Sequence, residues 1–217
     1  MMRPPPDRAS CAPGTRSAGA ARGALLASAR SRFLGGPVSD PVIPRPAPDE
    51  HAPCLAGSVD LVPGDDALAP LRTQLAETLP PLEALGEAAS LRRCAKGKWS
   101  VKEVVGHGED MERIVAYRAL RLARADRTPL PGFERDDGVP AGRFDARPRA
   151  AALLDEWRAV RAATVAPLAS LDGEALTRAE NAAPFDVTVR AIAGLIARHE
   201  RHHRAVLRER YGVGRDA

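Results

Sequence analysis

Aromatic side chains are scarce in this sequence, at 4% of 217 residues, and its apolar content comes mainly from Leu, Val and Ala. That balance favours helices, because strands are enriched in aromatic and β-branched residues. The sequence also lacks any apolar run near the roughly 20 residues that a membrane-spanning helix needs. We therefore expect a helical protein with no membrane partner.

Cysteine is also rare and irregularly placed, at Cys11, Cys54 and Cys94. An odd number without regular spacing predicts no disulfide framework and fits a reducing compartment, so we expect a cytoplasmic protein. The formal net charge is +4, with basic and acidic residues mixed along the chain. No basic stripe with interleaved aromatics occurs, which argues against a nucleic-acid partner.

The first 60 residues are rich in Pro, Ala, Arg, Gly and Ser, with little hydrophobic periodicity. We expect a disordered or weakly structured tail over residues 1–60 and one domain over residues 61–217. His51 and Cys54 should then be solvent-exposed. The Arg- and Ser-rich stretch up to Phe33 also resembles an organelle transit peptide, and an over-extended coding start is a further reading.

Periodic apolar residues predict four amphipathic helices. The first begins near Asp65 and should end or bend at Pro80-Pro81. The second begins at Ser100, which forms a capping box with Glu103. A third begins near Pro148, with Pro167 bending it or ending it early, and a fourth runs from about Val187 to Tyr211, with Gly212 as its stop. Four such helices predict an all-α four-helix bundle.

Two connections are long for a compact domain, residues 126–147 and residues 172–186. Connections of this length are usually functional or disordered, so each is read either as a lid or as a loose crossover. No strand alternation or hairpin signal is evident in either connection.

Three of the five histidines lie in the run His199-Glu200-Arg201-His202-His203. On a helical wheel His199 and His203 share the apolar stripe and point into the bundle, whereas His202 lies near its edge. His107 also faces the core side of the second helix. Buried neutral imidazoles need partners, so three clustered histidines predict a metal site with positions left open for water or substrate.

The same run also matches the zincin motif H-E-x-x-H, in which Glu200 would be a general base. The short remainder of the chain supplies no further histidine ligand, and no sheet is predicted to present a peptide substrate. A protease is therefore a minor alternative. Asp110, about one turn after His107, is read either as a base or as a carboxylate that orients His107.

These motifs together resemble those of the DinB/YfiT-like superfamily of metalloenzymes, over about residues 65–212. The resemblance rests on the run Gly97 to His107, which reads GKWSVKEVVGH, and on the final histidine run, His199 to His203. Between them it includes Asp110, Glu112, Arg118, Trp157 and Arg161. The chain departs from the commoner pattern at Gly108 and Pro167.

The resemblance implies an up-down-down-up four-helix bundle of the DinB-like type. It also implies that His107, His199 and His203 are the ligands of one divalent metal, zinc or nickel first, with iron or manganese as alternatives. Members of the family often dimerise, so a homodimer is an alternative to a monomer.

Activities in the family that the chain resembles include transfer of small thiols such as mycothiol or bacillithiol. We therefore expect a metal-dependent transferase acting on a small thiol and an electrophilic small molecule. A metal-dependent hydrolase, with Asp110 or Glu200 as base, is the alternative, and a non-catalytic metal-binding stress protein is the third. Arg118 and Arg161 are candidates to hold a thiol, and Cys94 is read as a plain loop cysteine.

Overall fold

The computed structural model describes residues 41–51, 64–147, 149–182 and 185–215. Pro148, Pro184, Cys11, Cys54 and the parts of the predicted tail before residue 41 and after residue 51 lie outside these ranges. The helices, in chain order, are α1 (Leu68–Thr73), α2 (Leu75–Glu83), α3 (Glu87–Ser90), α4 (Val101–Ala123), α5 (Arg135–Gly142), α6 (Ala150–Leu168), α7 (Gly173–Thr177) and α8 (Val189–Tyr211). None of the helices that the structure describes combines the length and the apolar character that crossing a membrane requires.

The predicted helix boundaries are largely confirmed by their caps. The Ser100 hydroxyl accepts a hydrogen bond from the Glu103 amide at 3.0 Å, and the Glu103 carboxylate accepts one from the Ser100 amide at 2.8 Å. This capping box fixes the start of α4. Gly212 ends α8 with a φ of +70°, a left-handed conformation that glycine adopts without strain. Pro167 lies in the last turn of α6.

The first predicted helix is divided into α1 and α2 at Gln74. Gln74 keeps helical backbone angles, so the two pieces continue one path along the bundle. Its side-chain amide donates to the carbonyl of Ala197 at 3.0 Å, which ties this helix to α8. The path ends at Glu83, within a turn of Pro80-Pro81, as the sequence predicts.

Two clusters of buried apolar residues lie at opposite ends of the bundle and show the direction of each helix. The first includes Leu68, Leu71, Val115, Leu122, Leu168 and Ile192. The second includes Leu79, Leu82, Val101, Leu153, Leu207 and Tyr211. The α1–α2 path and α8 therefore run from the first cluster to the second, and α4 and α6 run the opposite way. This is the up-down-down-up order that the family resemblance implies.

Parallel α4 and α6 explain the long connection between them. Since α4 has 23 residues, the chain must travel back about 35 Å before α6 can begin. The connection is neither a loose loop nor featureless, because it contains α5 and a short 3₁₀ helix, Phe144–Ala146. Phe144 is 1% exposed, and its ring packs against the backbone of Gly106. A Cβ atom at position 106 would lie only 2.2 Å from that ring. A glycine in α4 thus lets the crossover pack directly on the helix backbone.

The expectation that residues 172–186 contain no hairpin is wrong. Helix α7 is followed by β1 (Ala179–Ala182) and β2 (Phe185–Thr188), which pair antiparallel with Ala179 opposite Thr188 and Ala182 opposite Phe185. The strands are only four residues each, too short for an alternating pattern to identify them. The Thr188 hydroxyl then accepts from the Ala191 amide and starts α8.

The predicted tail boundary also needs correction for residues 41–51, which pack on the bundle. Ile43 is 1% exposed, and its carbonyl accepts from the Ala67 amide at 2.8 Å. Glu50 binds Arg190 of α8 through two hydrogen bonds, one of 2.6 Å. His51, expected to be exposed, is buried. These contacts are long-range pairings that a proline-rich composition does not reveal.

A set of polar residues, all buried except the half-buried His199 and His203, separates the two apolar clusters. On each helix it occupies the positions between the residues of one cluster and those of the other. We call the set the polar layer; it contains Gln74, Thr78, His107, Glu112, Arg161, His199, Glu200 and His203.

Arg161 is the centre of the polar layer. Its guanidinium donates to Glu112 of α4 at 2.8 and 3.0 Å, to Glu200 of α8 at 2.7 Å and to the carbonyl of Leu71 in α1 at 3.1 Å. The Trp157 indole donates to Glu112 at 3.0 Å, and the Thr78 hydroxyl donates to Glu200 at 2.6 Å. One guanidinium thus connects all four helical paths of the bundle.

We predict that Ile43→Ala lowers the free energy of unfolding by about 2–5 kcal/mol, because it removes a buried side chain that packs in the first cluster. Val42→Ala is the matched control, since Val42 is 56% exposed and its loss should change stability by less than about 0.5 kcal/mol. Urea denaturation of the full chain measures both. Equal, small effects would show that residues 41–51 do not stabilise the bundle.

We predict that Arg161→Met lowers the free energy of unfolding by about 3–5 kcal/mol, because two buried carboxyl groups lose their shared partner. Arg158→Met on the same helix is the control. Its ion pair with Glu83 joins two side chains that are each 44% exposed, so the loss should stay below about 1 kcal/mol. Similar losses in the two variants would contradict a central role for Arg161.

Candidate metal centre

Three histidines from two helices meet in the polar layer. His107 comes from α4, and His199 and His203 lie one turn apart on α8. Each offers a ring nitrogen within 4.8 Å of those of the other two. The ring centroid of His107 lies 5.0 Å from the ring centroid of His199 and 5.0 Å from that of His203. The centroids of His199 and His203 are 4.4 Å apart. The structure therefore brings together the three histidines that the sequence singles out.

The packing of α4 against its neighbours sets the position of His107. The Trp99 ring, just before the helix, lies 4.9 Å from the His107 ring, centroid to centroid. Trp157 of α6 fits against Gly108, where a Cβ would come 3.3 Å from the indole. The small residue at position 108, a departure from the commoner family pattern, is thus accommodated by an indole packed close to the helix backbone.

The hydrogen bonding of the cluster is incomplete without a further group. His107 is 1% exposed, yet both of its ring nitrogens lack a hydrogen-bond partner among the described residues, as does Nδ1 of His203. The Nε2 atoms of His199 and His203 face each other at 3.1 Å. An unsatisfied buried polar group costs about 1–3 kcal/mol, which a cation shared by the three rings would offset. The donor set fits a divalent transition metal.

Electrostatics keep these imidazoles in the form that binds metal. Burial lowers the pKa of His107 to about 4 and that of His199 to about 3. Burial and the neighbouring His199 lower the pKa of His203 to about 2. All three are therefore neutral at pH 7, so no proton has to be displaced before a cation binds.

His202 lies apart from the three-histidine group. Its side chain is exposed, and its ring centroid is 5.0 Å from that of His203. Both line a cavity of about 380 Å³, within the usual size range of small-molecule sites. We call it the cationic cavity, because Lys98, Arg135 and Arg210 line it against one carboxylate, Asp136. Its remaining walls include Cys94, Trp99 and Tyr211.

The two predicted catalytic carboxylates are not placed alike. Both oxygens of Glu200 are engaged, one by Thr78 and one by Arg161, and the residue is 3% exposed. This geometry argues for a structural role and against the general base of a zincin. Asp110 lies beside Arg113, with 3.5 Å between Oδ1 and Nη1, and burial raises its pKa.

The two arginines predicted to hold a thiol also have other contacts. Arg161 is buried in the polar layer and 5% exposed, so it is not available to a cosubstrate. Arg118 donates a hydrogen bond to the carbonyl of Pro131 and lines a different, apolar cavity. Cys94, read as a plain loop cysteine, is exposed in the wall of the cationic cavity.

Sequence reasoning missed the role of Glu112 and the burial of Glu109. Glu112 and Arg161 belong to the family motif, but the spacing of charges on separate helices does not show that they pair. Glu109 is 1% exposed, and neither of its oxygens has a hydrogen-bond partner among the described residues. Burial, followed by the nearby Glu156, raises the pKa of Glu109 to about 8, so it is largely protonated at pH 7.

Comparison with known proteins agrees with this architecture. The family model of the DinB superfamily matches residues 71–207, whereas no curated protein matches the sequence. YfiT from Bacillus subtilis, described as a probable metal-dependent hydrolase with an unusual four-helix bundle topology, superposes with a TM-score of 0.61 at 17% identity, covering 77% of this chain and 94% of that one. A mycothiol-dependent maleylpyruvate isomerase superposes with a TM-score of 0.55 at 13% identity, covering 68% of this chain and 61% of that one.

At these identities the solved structures establish the fold alone. The family match covers more than half of the chain and includes all three clustered histidines. The chain belongs to the DinB superfamily.

Proposed function

We propose that the protein is a metal-dependent transferase that joins a low-molecular-weight thiol, of the mycothiol or bacillithiol type, to an electrophilic small molecule. The observation that carries the proposal is the position of the three neutral histidines beside the cationic cavity, with His203 part of its wall. Zinc or nickel suits the imidazole donors best, with iron or manganese as alternatives.

His107, His199 and His203 would hold the cation, and three protein ligands leave a coordination position for an exogenous ligand. A cation held there lowers the pKa of a thiol or water that binds to it and so supplies a nucleophile at pH 7. The surrounding residues keep the site preorganised, since the polar layer fixes α4 and α8 relative to each other. Glu200 acts in this way, as a positioning residue next to His199.

The cationic cavity supports a polar cosubstrate with negative charge. Lys98, Arg135 and Arg210 provide donors, and their charges outweigh that of Asp136. In the proposed reaction the sulfur–carbon bond forms as the bond from that carbon to its leaving group breaks. The leaving group departs with the electron pair, and the thiol proton ends on it or in solvent. A cytoplasmic location fits this cosubstrate, since small thiols are kept reduced there.

A metal-dependent hydrolase is the second candidate. It is favoured by the description of YfiT, and the same open position could take water instead of a thiol. The cationic cavity favours the transferase, because water needs no charged recognition site. A non-catalytic metal-binding protein would need neither the open position nor the cavity.

We predict that the full chain binds one divalent cation through the three histidines. His107→Ala, His199→Ala and His203→Ala should each weaken binding at least tenfold, because each removes one ligand. His202→Ala is the matched control and should change affinity less than threefold. Titration of the metal-free protein with zinc and with nickel measures both. Stoichiometric binding by the triple histidine variant, equal to that of the wild type, would eliminate the site.

We also predict that the metal-loaded protein accelerates conjugation of mycothiol, bacillithiol or glutathione to an alkylating electrophile. His203→Ala should abolish the acceleration, whereas Cys94→Ser should retain most of it, because the free thiol supplies the sulfur. Arg210→Gln should raise the KM for the thiol severalfold without changing metal stoichiometry. Product formation is followed by mass spectrometry with a panel of electrophiles.

Conjugation at the uncatalysed rate, together with metal-dependent turnover of an ester, amide or phosphoester, would move the assignment to hydrolase. No turnover of either class by the metal-loaded protein would favour the non-catalytic alternative.

A further inference from the structure

A second cavity, of about 460 Å³, lies along the seam between α4 and α8. Its walls are mainly aliphatic and include Met111 and Ile114 of α4 and Ile192 and Leu195 of α8. Its size and its apolar walls are those of a small-molecule binding site. We call it the apolar cavity.

The apolar cavity begins one helical turn from the histidines. Met111 follows His107 by one turn on α4, and Leu195 precedes His199 by one turn on α8. Because these helices run antiparallel, both steps lead in the same direction, away from the three rings. The apolar cavity and the histidine cluster are therefore neighbours along the same seam.

The start of α5 joins the two cavities. Arg135 and Asp136 line both the apolar cavity and the cationic cavity. Arg135 and Asp136 therefore form a wall that the two cavities share, whereas Phe133 and Glu134 line the apolar cavity alone. Arg118, held by the Pro131 carbonyl, lies on the wall of the apolar cavity.

We propose that the apolar cavity binds the alkyl or aryl body of the electrophilic substrate, with its reactive carbon directed to the histidines. That the ligand is an electrophile rests on the proposed function. That the cavity binds an apolar small molecule rests on its size and its walls alone. It divides the work between the two cavities: the cationic cavity takes the polar thiol, and the apolar cavity selects the acceptor by size and hydrophobicity.

Direct binding tests the cavity without any catalysis. The probe is N-phenyl-1-naphthylamine, an uncharged aryl molecule titrated into the folded full chain and followed by fluorescence. Ile114→Trp should weaken its binding at least tenfold by filling the cavity, and Leu195→Phe, a smaller change, should weaken it at least threefold. Leu120→Trp is the control, because Leu120 is 41% exposed on the same helix and should leave affinity within twofold.

The triple variant of His107, His199 and His203 to Ala separates this inference from the proposed function. Probe binding should persist in that variant, within threefold of wild type, while metal binding is lost. Equal probe affinity in wild type and in both cavity variants, each shown to be folded by circular dichroism, would overturn the inference. If thiol transfer is not observed, probe binding still tests whether the apolar cavity binds an apolar small molecule.

A substrate series tests the orientation in the metal-loaded enzyme. For electrophiles that differ only in alkyl chain length, kcat/KM should rise by up to about fourfold per methylene while the chain still fits. Ile114→Trp should remove that dependence, and Leu120→Trp should keep it. A chain-length dependence unchanged by Ile114→Trp would place the apolar group elsewhere and overturn the assignment.

Discussion

The fold depends most on one guanidinium, that of Arg161, which must satisfy two buried carboxyl groups at once. Glu112 and Glu200 come from different helices, and each would be costly to bury alone. Their joint contact with Arg161 therefore restricts how α4, α6 and α8 can slide or rotate against one another. Apolar clusters above and below supply hydrophobic stabilisation, but aliphatic side chains tolerate small shifts in helix register far better than a bidentate ion pair does.

The histidine cluster benefits from this restriction. His199 is adjacent to Glu200, and His107 lies about a turn and a half before Glu112. A set of ion pairs that fixes the rotation of α4 and α8 consequently fixes the direction of all three rings. The site needs such support because the Nε2 atoms of His199 and His203 face each other at 3.1 Å. At that distance the two nitrogens must share either a hydrogen or a cation. Preorganisation of this kind is what a metal site demands of its surroundings.

Local rules were sufficient to predict the four helices and the inward direction of the histidines from the sequence. The capping box at Ser100 and the terminal Gly212 act over a few residues, so their signals are readable without the fold. Long-range pairings were not readable. Ile43 packs with residues more than twenty positions away, and Arg161 meets carboxylates from two other helices. The short strands after α7 were missed for a different reason, since four residues are too few for apolar alternation to identify a strand.

The crossover between α4 and α6 shows how topology and site are related. Two parallel neighbours require a long return path, and here that path carries α5, whose first residues line both cavities. The long connection that the topology requires thus also supplies the residues that line the site, and no additional segment is needed for that purpose. Phe144, packed on the backbone of α4 at Gly106, anchors the far end of this connection one residue away from His107.

The pairing of α4 with α8 has a consequence for how the protein is made. A ribosome completes His107 long before His199 and His203, because α8 is the final helix that the structure describes. Until that helix emerges, His107 of α4 lacks the two histidines that it meets in the folded domain, and Arg161 of α6 lacks its contact with Glu200. Synthesis from the N-terminus therefore leaves the first three helical paths without the element that closes both core and polar layer. Assembly of the histidine cluster therefore has to wait for α8, the final helix that the structure describes.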